Sequence, residues 1–164
     1  MKKMFLTTAL IAASGAAVIA ETSAANSDHS GNESHGEQMA VGMPGIHSQT
    51  VRTVKVTMTE TDDGKMIYTP SAMDFKQGEA IRFLVRNSGE LDHEFILDTP
   101  GRNAMHKEIM ATRIEVHNTP NSISLAPGKS GEIIWIFNNS GIFEVACLIP
   151  GHYESGMYAK VSVK

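Results

Sequence analysis

Residues 142–163 read IFEVACLIPGHYESGMYAKVSV, and this stretch decides the fold because two strand-like patterns flank one short loop. The apolar positions alternate in both patterns: Phe143, Val145 and Cys147 in the first, and Met157, Ala159, Val161 and Val163 in the second. Because successive side chains of a strand point to opposite faces, this period of two predicts strands buried on one face. Cys147 and Met157 should therefore point toward the core at the two ends of the loop 148–156.

The same alternation recurs along the chain from residue 51. The inward positions are Val54, Val56 and Met58; Ile81, Phe83 and Val85; His93, Phe95 and Leu97; and Ile133, Trp135 and Phe137. Clusters of Gly, Pro, Asn and Asp separate these segments, as turns do. Many short strands with turn signals predict an all-β fold, a Greek-key antiparallel β-sandwich or barrel, over residues 51–164. We expect a short helical insertion at Asn103–Ala111 and a core position for Trp135.

Four side chains in this pattern are candidate metal ligands. His93, Cys147 and Met157 each share a face with core residues at a strand end, and His152 lies on the loop between Cys147 and Met157. That loop can fold back over one end of a sandwich, which would bring two imidazoles, a thiolate and a thioether to one pole. Two His, one Cys and a weak axial Met are the ligands of a type 1 copper site. Zinc also accepts two His and one Cys but has no use for the thioether, so copper is the expected metal.

The N-terminus predicts export. Lys2 and Lys3 precede an uncharged run of apolar or small residues that extends to Ala20. We interpret residues 1–20 as a cleaved signal peptide, which implies a periplasmic protein with no membrane span in its mature form. A membrane anchor is the weaker alternative, because the run is short and no basic cluster follows it.

The mature chain would be mildly acidic. Removing residues 1–20 takes away two lysines and no acid, so the formal charge of −4 becomes −6. No basic stripe is present in the sequence, which argues against nucleic acid as a partner. Cys147 is the only cysteine, and it cannot form an internal disulfide in an oxidising compartment. It is an ordinary buried side chain, an accidental thiol, or a thiol protected by a metal.

Residues 21–50 have a different composition. They are rich in Ser, Gly, Asn and Glu and hold few large apolar residues, so we predict a disordered tail. The tail contains five residues of types that bind copper: His29, His35, Met39, Met43 and His47. Two interpretations of the tail remain open: it binds extra copper weakly, or it is a plain linker. For His106 and Met110, four residues apart, an ordinary surface helix is favoured over a metal site, and whether these two or His117 bind extra copper is also open.

From about residue 51 to 164 the chain resembles the cupredoxin family of small blue copper proteins. The resemblance rests on His93 in LDHEF and on Cys147, His152 and Met157 in CLIPGHYESGM, supported by DFKQGEAIRFLVRN and LAPGKSGEIIWIF. It is closest to the bacterial periplasmic cupredoxins linked to copper tolerance, and it implies a cupredoxin-like fold with one type 1 copper ion held by these four residues. Glu94 stands where many electron carriers of the family have Asn or Ser, so backbone groups could supply the hydrogen bond given there.

Two functions of different classes remain. One is copper tolerance or homeostasis through copper binding and one-electron redox, which the His/Met-containing tail favours. The alternative is a soluble electron carrier between periplasmic redox partners. A redox protein partner would dock near His152, where Leu148, Ile149, Pro150 and Tyr153 could frame the ring. Catalysis on a substrate is not expected, because the sequence offers neither a second domain of this kind nor paired H-x-H clusters.

Overall fold

The computed structural model describes residues 39–113 and 119–164. The predicted signal peptide, the tail residues up to 38 and His117 lie outside the described residues. The strands are β1 (Met43–Pro44), β2 (Arg52–Glu60), β3 (Met66–Thr69), β4 (Ala72–Phe75), β5 (Ala80–Asn87), β6 (His93–Asp98), β7 (Ser122–Leu125), β8 (Ser130–Ile136), β9 (Gly141–Ala146) and β10 (Tyr158–Val163). Helix α1 (Pro100–Thr112) lies between β6 and β7, and a 3₁₀ turn (His47–Gln49) precedes β2.

The strands form two five-stranded sheets. Their orders are β1-β8-β5-β2-β3 and β4-β10-β9-β6-β7. This arrangement confirms the predicted all-β sandwich with a short helical insertion. Two neighbouring pairs, β2 with β5 and β4 with β10, are parallel rather than antiparallel. A parallel pair needs a crossover between its strands, and β3 and β4 supply that crossover between β2 and β5.

The core lies between the sheets and contains the predicted inward faces. Among the most completely buried side chains are Trp135, Tyr68, Phe83, Phe95, Phe137, Met58, Ile81 and Leu97. Phe75 and Phe137 stack with ring centroids 4.9 Å apart, and Phe83 meets Phe75 edge-on at 5.7 Å. Such ring pairs add to the free energy gained by burying apolar area. The prediction of a core Trp135 is confirmed, since its side chain is fully buried.

The segment 39–50 corrects the predicted boundary of the tail. Val41 is fully buried, and its carbonyl oxygen accepts a hydrogen bond of 3.0 Å from Trp135 Nε1. Strand β1 pairs antiparallel with β8, opposite Ile136 and Trp135. These residues belong to the sandwich, so the prediction of disorder up to residue 50 is wrong for 39–50. A short apolar segment can be ordered by a sheet edge even when its own composition could not fold it.

Helix α1 is longer than predicted. Thr99 caps it, since its side-chain oxygen accepts a 3.2 Å hydrogen bond from the backbone N–H of Arg102, and Pro100 occupies the first turn. Both choices are typical of helix starts. Met110 is fully buried against Ile96, Ala146 and Leu148. Met110 therefore belongs to a small core between α1 and the second sheet, a core that an ordinary surface helix would not have.

No helix within 39–113 and 119–164 has the length and apolar character needed to cross a membrane.

Candidate metal centre

Three of the four predicted ligands reach one pole because of strand order. His93 begins β6, Cys147 follows the end of β9, and Met157 precedes β10. Strand β9 is antiparallel to both neighbours. The start of β6, the end of β9 and the start of β10 therefore lie at the same end of the second sheet. Main-chain pairing continues past the strands, since the Cys147 N–H donates to the Met157 carbonyl at 3.1 Å.

The loop 148–156 brings His152 to the same pole. The His152 N–H donates to the Ile149 carbonyl at 3.0 Å, and the Met157 N–H donates back to the His152 carbonyl at 3.1 Å. Gly151 and Gly156 have φ values of 89° and 99°, a region that glycine adopts without steric cost. The loop is thus a compact set of turns whose shape is fixed by its own backbone.

Helix α1 braces this loop from outside. Lys107 Nζ donates to Glu154 Oε1 at 2.8 Å and lies 4.6 Å from the centre of the Tyr153 ring. The Tyr153 hydroxyl donates to Glu144 Oε2 at 3.1 Å, and Asn103 Nδ2 donates to Glu144 Oε1 at 3.1 Å. Burial, together with Glu144, raises the pKa of Tyr153 to about 12, so its hydroxyl keeps the proton that it donates.

The ligand atoms of His93, Cys147 and His152 converge. All three atoms lie within 4.8 Å of one another, and they form the one group of at least three His, Cys, Asp or Glu side chains in the described parts of the chain that could hold a metal. The Nδ1 atoms of His93 and His152 are 3.2 Å apart, and Cys147 Sγ is 3.4 Å from His152 Nδ1. Such separations fit three ligands at roughly 2.0–2.3 Å from one ion.

Burial sets the protonation of this group. His93 and Cys147 are fully buried and His152 is 8% exposed. Desolvation lowers the pKa of both imidazoles, and for His152 the neighbouring His93 adds to the effect. Both rings are therefore neutral near pH 7, which is the form that binds metals. Desolvation raises the pKa of the Cys147 thiol to about 12, although the N–H groups of Glu94 and Ile149 act in the opposite direction.

A backbone group donates a hydrogen bond to the cysteine sulfur, a possibility that the sequence left open. The Glu94 N–H donates to Cys147 Sγ at 3.4 Å. The Glu94 carbonyl accepts a hydrogen bond from the buried hydroxyl of Tyr68, and Ser124 Oγ donates to Glu94 Oε1 at 3.2 Å. The main chain beside His93 is therefore fixed on both sides. The Asn or Ser that many electron carriers have here is not needed to provide an N–H toward the sulfur.

Glu60 was missed in the sequence. Its Oε1 lies 2.8 Å from His93 Nε2, the ring nitrogen on the other side from His152. Two backbone N–H groups, from Glu90 and Leu91, hold the same carboxylate at 2.9 and 3.0 Å. Burial opposes ionisation, but these hydrogen bonds lower the pKa of Glu60 to about 2. A sequence signal existed: Glu60 continues the inward series of Val54, Val56 and Met58, where an apolar residue would be expected.

Met157 adjoins this centre, whereas the other candidates in the described part of the chain are not part of it. Met157 is fully buried in the main core cluster beside Cys147, so its thioether stays a predicted ligand. His47 pairs with Glu132 at 2.8 Å and is 69% exposed. Met39 packs against the core, and His106 lines a surface cavity on α1 with Arg102.

A two-sheet Greek-key sandwich with two imidazoles and a thiol converging at one pole defines a cupredoxin. Comparison with known families agrees: residues 54–164 match the family described as copper binding proteins, plastocyanin/azurin family. The chain belongs to this family, whose members bind copper.

Individual relatives support the same assignment. The chain is 37% identical to the copper-resistant cuproprotein CopI of Rubrivivax gelatinosus over 100% of both chains. It is 31% identical to the protein of the same name from Pseudomonas aeruginosa, over 79% of this chain and 84% of the relative. These names describe copper proteins and no catalysed reaction. Auracyanin from Roseiflexus castenholzii shares the fold, with a TM-score of 0.58 at 18% identity over 70% of this chain and 98% of that one.

Proposed function

We propose that this protein holds one type 1 copper ion through His93, Cys147, His152 and Met157 and acts in periplasmic copper tolerance by binding copper and changing its charge by one electron. The observation that carries the proposal is the buried convergence of two Nδ1 atoms and one Sγ within 4.8 Å. Copper bound there would supply reversible one-electron redox chemistry. No substrate turnover is part of the proposal.

Each proposed ligand has a distinct role. On copper binding the Cys147 thiol would release its proton to solvent and would serve as a soft anionic ligand, while the imidazoles suit both oxidation states. Met157 would supply a thioether as the weaker fourth ligand; it is buried, and its carbonyl accepts the Cys147 N–H. The hydrogen-bonded loop and the fixed Glu94 backbone hold these groups in place, which would keep structural change during electron transfer small.

The tolerance role rests on relatives and composition. Two relatives at 37% and 31% identity are described as copper-resistant cuproproteins. The N-terminal sequence has the features of an exported protein, and export would place the site where excess copper first meets the cell. We therefore assign the finer function to copper tolerance in the periplasm rather than to electron transport alone.

Absorption spectroscopy tests the site. A type 1 centre absorbs strongly in the visible range through charge transfer from the cysteine sulfur to Cu(II). Cys147→Ser should abolish this band while the protein stays folded, because the aromatic core is built from other residues. Met157→Gln should keep the band and lower the reduction potential, since an oxygen ligand favours Cu(II). His106→Ala on α1 is the control and should change neither property. A Cys147→Ser protein that keeps the band would refute the assignment.

Copper tolerance needs a cellular test. A strain lacking the gene should grow less well in added copper, and the wild-type gene should restore growth. Cys147→Ser should not restore growth, whereas His106→Ala should. Full restoration by Cys147→Ser would show that the buried site is not the basis of tolerance.

An electron-carrier role has one supporting feature. His152 is the least buried of the three converging ligands, at 8% exposure, and Ile149 and the exposed Pro150 precede it in the loop. A redox partner could dock weakly on this surface. Ile149→Lys should then slow electron exchange with a partner without altering the visible spectrum, whereas unchanged exchange would leave Ile149 with only a sealing role.

The N-terminal segment remains a proposed site for additional, weakly bound copper. His29 and His35 lie outside the described residues, while His47 pairs with Glu132. A His29→Ala, His35→Ala double variant should lose a second, weaker equivalent in a copper titration and keep the type 1 band. His47→Ala tests the third histidine of the segment separately; because His47 pairs with Glu132, its loss should reduce the second equivalent less. Equal stoichiometry in wild type and double variant would contradict the proposal.

A further inference from the structure

We propose that Glu60 is a positioning residue for His93: its carboxylate accepts the hydrogen bond of the Nε2–H group and so directs the lone pair of Nδ1 toward the metal position. This inference rests on the proposed function, because it takes His93 to be a copper ligand. Glu60 ends β2 in the first sheet, whereas His93 begins β6 in the second. The contact therefore joins the two sheets next to the candidate centre.

The carboxylate is held as an acceptor. Oε1 lies 2.8 Å from His93 Nε2 and accepts the Leu91 N–H at 3.0 Å, while Oε2 accepts the Glu90 N–H at 2.9 Å. The two backbone donors belong to the turn just before β6. Glu60 is thus fixed by the same segment that leads into His93, and its position relative to the imidazole is set by main-chain atoms.

The turn is shaped around this carboxylate. A Cβ atom on Gly89 would lie 2.2 Å from Glu60 Oε2 and 2.6 Å from Oε1. These distances are far below van der Waals contact, so a side chain at Gly89 would displace the carboxylate. The absence of a side chain at this position allows the turn to close on Glu60.

The hydrogen bond selects one form of the His93 ring. A neutral imidazole has one N–H and one lone pair. When Nε2 carries the hydrogen donated to Glu60, the lone pair must be on Nδ1, which faces His152 Nδ1 at 3.2 Å. His93 is fully buried, so an Nε2–H group without Glu60 would lose its acceptor, and the preference for this tautomer would be lost. Carboxylates play this orienting role for metal-bound histidines.

The charge of Glu60 has a separate effect. A negative group one hydrogen bond from a ligand imidazole makes that ligand more basic and favours the more positive metal state. Glu60 should therefore lower the reduction potential of bound copper. The exposed Asp92 has the same charge and adjoins His93 in the sequence, yet no hydrogen bond to the His93 ring is formed by Asp92 in the described structure. Asp92 is thus a matched control for charge without contact.

Two measurements on three variants test the inference. The first is the tautomer of His93 in the metal-free protein, read from ¹⁵N chemical shifts of the ring by NMR. The second is the reduction potential of the copper-loaded protein. Wild type should show a single Nε2–H tautomer. Glu60→Ala should give a mixture and a higher potential. Glu60→Gln, which is nearly isosteric and keeps one acceptor oxygen, should retain the tautomer but still raise the potential. Asp92→Asn should leave the tautomer unchanged and shift the potential less than either.

The outcomes separate this inference from the proposed function. A Glu60→Ala protein that keeps the pure Nε2–H tautomer would overturn the positioning role, as would an Asp92→Asn shift in potential equal to that of Glu60→Ala. If Glu60→Ala fails to fold, a Glu60→Gln potential equal to that of wild type would overturn the charge effect. A wild-type protein without a type 1 band would refute the proposed function instead, and the metal-free NMR result would still decide the role of Glu60.

Discussion

Replacing Val41 by Ala should destabilise the metal-free domain by about 2 kcal/mol. Val41 is fully buried, and its carbonyl accepts the Trp135 Nε1–H hydrogen bond at 3.0 Å. The substitution removes two methyl groups at about 0.8 kcal/mol each and leaves a small cavity that adds to the loss. The backbone hydrogen bond remains. If residues 39–50 were a disordered tail, the same change would have no effect on the free energy of unfolding.

Ile46→Ala is the matched control. Ile46 lies in the same segment but is 62% exposed, so its truncation should change stability by less than about 0.5 kcal/mol. Urea denaturation can be followed by the fluorescence of Trp135, the only tryptophan in the chain, which contacts the mutated segment. At an m-value of about 2 kcal/mol per molar, Val41→Ala should lower the midpoint by about 1 M. The melting temperature should fall by about 8 °C. Equal midpoints for the two variants would refute the assignment of 39–50 to the sandwich.

Three further predictions concern the site and its supports. The metal-free protein should lose stability as the pH falls below about 6.5. His93 and His152 have lowered pKa values in the folded state, so the unfolded chain binds more protons in this range. A urea midpoint that is no lower at pH 5.5 than at pH 7.5 would contradict this. Met110→Ala should lower the free energy of unfolding by about 3 kcal/mol, since the Met110 side chain is fully buried on the inner face of α1. A loss below about 1 kcal/mol in the same assay would argue against the small core there. Gly89→Ala should displace Glu60 and destabilise the fold. Gly101→Ala is the control and should change stability little, because an added Cβ there meets nothing within 4 Å. Equal effects of the two substitutions would show that the turn can accommodate the side chain.

The core and the inward positions of His93, Cys147 and Met157 could be predicted because alternation along a strand is a local pattern. Cys147 and Met157 were assigned to the inward face from their neighbours alone, and both are fully buried. The start of α1 also has a local signal, since Thr99-Pro100 is typical of a helix start, but Pro and Gly at positions 100 and 101 are equally typical of turns. The helix was therefore predicted three residues too short at its N-terminal end.

The features that were missed depend on contacts between distant residues. Strand β1 has two residues and is ordered by β8, more than ninety positions away. Glu60 had a readable inward position, but its partner His93 is 33 residues further along. All six residues of β6 are buried, because α1 covers the outer face of that strand as well. No alternation within HEFILD could have indicated this second covering.

The burial of the centre also bears on how copper tolerance would work. His93 and Cys147 are fully enclosed, and His152 is 8% exposed. The loop, the Glu94 backbone and Glu60 hold the ligand groups close together before any metal binds, so binding need not be coupled to folding as it is in small zinc domains. Copper in such a site should exchange slowly with solution, because its removal requires the loop 148–156 to open. A slowly exchanging ion suits repeated electron transfer better than the sequestration of large amounts of copper. If the proposed function holds, this centre would pass single electrons between its copper and a redox partner, and any larger amount of copper would have to be bound elsewhere. The copper stoichiometry of the His29→Ala, His35→Ala variant tests whether the N-terminal segment binds it.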